Sequence, residues 1–149
     1  MSAAERTHAL RSTNRRVGTI YRPAVPVEPG LSAQVDHTIE DADTADAMRS
    51  GDVHVLATPR VVALCEEAAV LALRGQLPGG HTSVGHTVQL DHVAPSRVGT
   101  RITAEATLQK VNGRRLTFTV SVTDTHGLIA AGIVTRVVVE LDRFLDSAH

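Results

Sequence analysis

Between Thr58-Pro59 and Pro78-Gly79-Gly80 the chain runs through helix formers interrupted only by Gly75, and apolar residues fall on nearly every face of the helix they specify. A helix that is apolar nearly all round belongs inside a core rather than on a surface. Thr58 is placed to cap its first free N–H groups, and proline is tolerated at the first helical position because its missing N–H had no partner there. The Pro-Gly-Gly run stops it, so the sequence predicts one long helix over Arg60 to Leu77 that everything else must cover.

Two glutamates interrupt the apolar run. Arg60, Glu67 and Arg74 lie seven apart and share a face, which reads as a solvated charged stripe. Glu66 differs, because its helical neighbours are Val62, Ala63, Ala69, Val70 and Leu73. A carboxylate in that setting has three explanations: pairing with a buried base, escape to water at the helix edge, or chemistry. Eight residues at ~1.5 Å rise also place Glu66 about 12 Å beyond Thr58 along the axis. Direct contact between the two requires an irregular first turn or a meeting across a subunit interface.

Strands surround this helix in the pattern. Leu31, Ala33, Val35, His37 and Ile39 alternate with polar residues as a half-buried strand, with His37 on the inward register. The acidic segment from Glu40 to Asp52 reads as a loop or short helix that can act as a lid. Four strand-like runs follow the helix, at Thr82–Ala94, Thr100–Val111, Arg114–Asp124 and Leu128–Phe144. Val98-Gly99, Asn112-Gly113 and His126-Gly127 mark the turns between them. The order predicts an α+β domain over 31–149, an antiparallel sheet wrapped around one long central helix. Residues 1–30 form an arm: a polar stretch to about residue 16, then an extended proline-rich segment ending in Pro29-Gly30.

Composition excludes several classes. At 149 residues with 42% hydrophobic content the chain sustains one aliphatic core. The single cysteine, Cys65, rules out an intrachain disulfide, reads as a small buried residue, and fits a cytoplasmic protein. No run is long enough to span a membrane, and a net charge of −1 opposes general nucleic-acid binding. The preponderance of arginine over lysine suggests a GC-rich bacterial genome. Charge is locally uneven, acidic from Asp36 to Asp46 and basic from Arg97 to Arg115. Arg97, Arg101, Arg114 and Arg115 are candidate contacts for a phosphate-bearing ligand. His81, His86 and His92 have separations of five and six that match no recognised metal-ligand spacing. On a regular strand His86 and His92 share a face, so both can line one pocket.

The run VLAT–(x7)–E–(x18)–G–(x6)–H, followed by NGRRLTFTVSVTD, resembles the fluoroacetyl-CoA thioesterase family of hot-dog acyl-CoA thioesterases over about residues 31 to 144. The resemblance implies a hot-dog fold and hydrolysis of an acyl-CoA to free acid and CoA, without metal or organic cofactor. It implies a homodimer or higher homo-oligomer with active sites at the subunit interface. It places the family's catalytic threonine, glutamate and histidine on Thr58, Glu66 and His92, and its carbonyl-holding glycine on Gly85. With His86, Gly85 forms the expected substrate-binding set. Glu66 is thus selected over Glu67 by the helical face and by the resemblance alike. One departure bears on substrate: fluoroacetyl-selective members carry phenylalanines in the lid, and residues 40–57 here have none. Two other readings remain open, a non-catalytic acyl-CoA-binding module and an enoyl-CoA hydratase. The hydratase's aspartate followed five residues later by histidine is missing.

Overall fold

A computed structural model describes residues 27–149. Residues 1–26 of the arm expected over 1–30 lie outside the described residues. Strand β1 (Ser32–Thr38) leads through a single 3-10 turn (Asp41–Asp43) and a long loop to helix α1 (Thr58–Ala72). Strands β2 (His81–His92), β3 (Arg101–Asn112), β4 (Arg115–Asp124) and β5 (Gly127–Glu140) follow, and a short helix α2 (Leu141–Asp146) ends the order. All pairings are antiparallel, and the sheet order is β1-β3-β4-β5-β2.

Three boundaries differ from the sequence expectation, each for a local reason. Helix α1 stops at Ala72 rather than Leu77, because Gly75 just beyond takes a φ of +76°, where a residue without Cβ turns the chain at little cost. Thr58 is not the cap: Ala57 holds that position, and the threonine hydroxyl is committed elsewhere. The last strand ends at Glu140, and Leu141–Asp146 coils into α2 instead of extending to Phe144. Strand partnership also departs from a simple succession of neighbours. Strand β3 has both edges occupied by β1 and β4, so β2 pairs with β5 and is left, among the described residues, as an outer edge of the sheet.

The core forms where α1 meets the concave side of the sheet. Val61, Leu64, Cys65, Ala68, Ala69 and Ala72 form the buried face of the helix. Opposite them, the alternating residues of β3 to β5, among them Ile102, Leu108, Leu116, Phe118, Val122 and Val134, are almost fully enclosed. Small alanines on the helix permit this close approach. Phe118, with no exposed surface, fills the largest share, so truncating it to alanine costs about 3–5 kcal/mol.

The helix sits off-centre. It lies mainly over β1 and β3 and only lightly over β2 and β5. The β2 end of the inner sheet face is therefore poorly covered, and Val88 there remains 45% exposed. The face of α1 that bears Glu66 is bare too: Ala63 and Val70 are exposed and Val62 is half-buried. The near-uniform apolarity of the helix thus resolves into one face buried in its own sheet and one left open. No helix among the described residues is long and apolar enough to cross a membrane.

Candidate active site

Glu66 lies between α1 and the middle of β2. Its Oε2 accepts a hydrogen bond from Nη1 of Arg136 on β5 at 3.0 Å. Arg136 is 6% exposed, and its other donors are also used: Nε donates to Ser83 Oγ at 2.8 Å and Nη2 to the Ser83 carbonyl at 3.0 Å. Burial draws the Arg136 guanidinium below the ordinary arginine range, while the Glu66 charge and hydrogen bond pull back toward the charged form. The first explanation for Glu66, pairing with a buried base, is therefore met. The second is met in part, since its side chain keeps 35% exposure.

Gly85 closes the other side of the carboxylate. A Cβ built there would stand 2.5 Å from Glu66 Oε2, so only glycine lets the strand approach this closely. Gly85 pairs with Arg136 across the β2–β5 ladder, which puts all three residues in one cluster.

Thr58 and His92 form a second cluster. Thr58 Oγ1 and His92 Nδ1 are 2.8 Å apart, joining the first residue of α1 to the last of β2. The other ring nitrogen, Nε2, is buried and has no hydrogen-bond partner among the described residues. Burial holds the His92 pKa below its ordinary value, against a weaker opposing pull from the Ala94 backbone. The ring is therefore neutral at pH 7, with one nitrogen on the threonine and the other available.

A bulge sets the phase between the two clusters. Gly85 and His92 are seven apart, an odd separation that would place them on opposite faces of a regular strand. The register slips between Gly85 and Thr87, leaving His86 as the extra residue. Gly85 then pairs with Arg136, and His92 with the buried Ala130, so both face α1. The same bulge removes His86 from that face. Its Nδ1 lies 3.4 Å from Thr135 Oγ1, and Thr135 sits next to Arg136 on the opposite side of β5. The expectation that His86 shares a face with His92 is corrected accordingly.

Within one protomer the four inward residues thus fall into two pairs, Thr58 with His92 and Glu66 with Gly85. About 12 Å of helix and about 23 Å of strand separate them. The lid segment borders the first pair. A cavity of about 350 Å³ is lined by Ala45, Ser50, Val53, Val55 and Leu56 from the lid side together with Thr58, His92 and Val93. The lid is ordered by Asp43, which accepts from Glu40 N (2.7 Å), His37 Nε2 (2.7 Å) and Arg60 Nε (2.8 Å). Burial pushes the Asp43 carboxyl up, but these three donors outweigh it and hold it below the ordinary range. Arg60 is thereby committed to the lid instead of to the Glu67 stripe. His54 bridges the lid from the other side, with Nε2 at 2.8 Å from Asp41 Oδ1 and Nδ1 at 3.0 Å from Asp46 Oδ1.

Sequence reasoning missed Arg136. A signal was available: Val134, Arg136 and Val138 alternate on one face of β5, so the arginine is in phase with core residues. Cys65 matches its expectation, fully buried in α1, with burial and the neighbouring Glu66 pushing its thiol up to about 11. Among the described residues no group of histidine, cysteine and carboxylate side chains is arranged to hold a metal.

Known proteins share this arrangement of chain. The fluoroacetyl-CoA thioesterase of Streptantibioticus cattleyicolor is 37% identical over 90 residues, which span 60% of this chain and 65% of that relative's length. A solved structure of the fluoroacetyl-CoA thioesterase FlK superimposes with a TM-score of 0.76 at 28% identity, covering 80% of this chain and 93% of that one. A hot-dog-like protein from Thermanaerovibrio acidaminovorans superimposes with a TM-score of 0.74 at 26% identity, covering 79% and 87%. The fold is the hot-dog fold, as the order of strands and helix predicted. Residues 39–142 match the family profile of fluoroacetyl-CoA-specific thioesterases, and the chain belongs to that family.

Proposed function

We propose that the protein hydrolyses an acyl-CoA thioester, using the Glu66 carboxylate held by Arg136 against Gly85. That carboxylate carries the reading. It is fixed by a buried cation on one side, keeps an open face on the other, and lies beside a backbone too close for any side chain. Glu66 attacks the thioester carbonyl to give an anhydride that water then opens, or it draws the proton from an attacking water. Either route generates an oxyanion, for which the Gly85 N–H is the nearby backbone donor, and expels a thiolate that needs little help because thiols ionise near pH ~8.5. His92, neutral and with Nε2 free, takes up the proton that the water gives up and relays it to the departing sulfur. Thr58 fixes the tautomer of that ring through Nδ1.

The two pairs are completed by a second copy of the chain in this reading. The unpaired β2 edge, the exposed Val88 beside it and the bare Ala63–Val70 face of α1 are continuous with Glu66. An unpaired edge strand is a template for a second strand, and a two-fold axis across it runs the two β2 strands antiparallel. The Thr58–His92 end of one protomer then approaches the Glu66–Gly85 region of the other. A solved member of the family is described in complex with fluoroacetate and CoA, which supports CoA as the leaving group here. The acyl group is proposed to differ, because the apolar lining of the lid cavity is alanine, valine, leucine and proline, with no phenylalanine. An aliphatic acyl chain fits that lining.

Thiol release from acyl-CoAs of graded length, with Glu66→Gln alongside, tests the reading. Release by the wild type and loss in a folded Glu66→Gln protein are expected. Bound acyl-CoA without release across the panel would instead identify a binding module.

A further inference from the structure

At the far end of the sheet from Thr58 and His92, the β3–β4 turn and helix α2 enclose a cavity of about 290 Å³. Arg114, Arg143 and His81 line it, together with Phe144 and one acid, Glu140. Among the described residues neither Arg114 nor Arg143 forms an ion pair. Phe144 is 39% exposed, whereas Phe118 is wholly buried. The walls are tied to the sheet: Leu141 N donates to Gly80 O at 2.9 Å, and Val138 N donates to Arg114 O at 2.9 Å. A preorganised pocket with two unpaired guanidinium groups and an exposed aromatic ring suits a ligand that carries both a phosphate and a purine.

We propose that this cavity binds the 3′-phosphorylated ADP portion of coenzyme A, and that it serves the composite centre in which this chain's Glu66 and Gly85 meet the Thr58–His92 pair of the partner copy. The proposal rests on the thioesterase reading above. His81 opens β2 and His92 closes it, so eleven steps of ~3.3 Å put about 36 Å between the cavity and the Thr58–His92 pair of the same chain. That exceeds the reach of an extended phosphopantetheine arm. Antiparallel pairing of two β2 edges reverses the relation and brings the His81 end of one copy beside the His92 end of the other. Arg114 and Arg143 hold the phosphates as forks, and Phe144 stacks on the adenine.

Two measurements test this. Calorimetric titration with adenosine 3′,5′-bisphosphate should show saturable binding that Arg114→Ala/Arg143→Ala weakens by about tenfold or more, and that Phe144→Leu also weakens while keeping the apolar packing of α2. In turnover, the double variant should raise KM for an acyl-CoA by about tenfold with kcat unchanged, and leave KM for the matching acyl-pantetheine unaltered. Absent saturable binding, binding indifferent to both arginines, or equal losses on the two substrates would overturn the site. Mixed dimers of a His92→Ala chain with an Arg114→Ala/Arg143→Ala chain test the trans arrangement. The intact His92 then faces intact arginines, and a wild-type KM returns; a persistently raised KM would refute it. A protein that binds the bisphosphate through these arginines yet hydrolyses no acyl-CoA would defeat the thioesterase reading and leave the site standing.

Discussion

Glu66 and Arg136 stand 3.0 Å apart across the helix–sheet boundary with unequal access to water: the glutamate side chain is 35% exposed and the arginine side chain 8%. Removing either partner therefore has different consequences. Glu66→Ala strands a buried cation and is expected to cost about 3 kcal/mol, at the low end for a broken buried pair because one member reaches solvent. Arg136→Met leaves a carboxylate that can turn to water, so its stability loss should be smaller while its activity falls by about a hundredfold through misplacement of Glu66. Urea melts and kcat for the two variants, with Arg136→Lys as partial rescue, check the asymmetry. Equal stability losses would refute it.

Gly85→Ala should disturb the same pair from the strand side. The new Cβ would lie 2.5 Å from Glu66 Oε2, and the carboxylate must swing off Arg136 to admit it. We expect kcat to fall by about a hundredfold and the thermal midpoint to drop as it does in Glu66→Ala, because the buried Arg136 again loses its partner. A variant retaining full kcat would show that Gly85 need not admit this contact.

The histidines His92 and His54 respond to pH with opposite signs. Burial depresses the His92 pKa from its ordinary 6.5, so the unfolded chain takes up the proton first as pH falls. Stability is therefore lost between pH 6.5 and the lower folded value, and His92→Asn should flatten that acid decline. In kcat/KM the acid limb should fall below pH 6.5, where the folded ring finally charges.

Hydrogen bonds to Asp46 and Asp41 raise the His54 pKa above 6.5. Its contribution is complete below the unfolded value and disappears as pH rises through the folded one. His54→Asn should thus remove a small alkaline-side loss and loosen the lid at low pH, as read by amide exchange of residues 45–56. Unchanged exchange in that segment at pH 5.5 would show that the bridge does not order the lid.

Cys65→Ala should leave kcat and KM intact, since the thiol is pushed up to about 11 and faces the core, away from the open helix face that bears Glu66. Native protein at pH 8 should resist alkylation and react once unfolded. Rapid labelling of the native state would contradict the burial.

The sequence pattern disclosed what depends on local periodicity. Glu66 was separable from Glu67 because helical neighbours follow from spacing, although the surrounding apolar face proved to be the open one. Hairpin turns at Asn112-Gly113 and His126-Gly127 were legible because φ > 0 demands particular residues. The partnership of β2 with β5 was not, since it is decided by which strand edges remain after β3 is occupied on both sides. Arg136 stayed hidden for a related reason: its partner lies 70 residues away.

The extra residue at His86 makes the stretch between Gly85 and His92 sensitive to length in a way that composition is not. Regularising the ladder at the same length would turn the whole Ser83–Gly85 end over, pointing it away from Glu66 while His92 stayed in place, whereas deleting His86 would leave Gly85 opposite Arg136 and both residues inward. Relatives whose glycine-to-histidine gap changes by one must therefore gain or lose a bulge to keep both residues inward. The match between the parity of that gap and the presence of a bulge, more than the identity of the residues filling it, is what descent has to preserve.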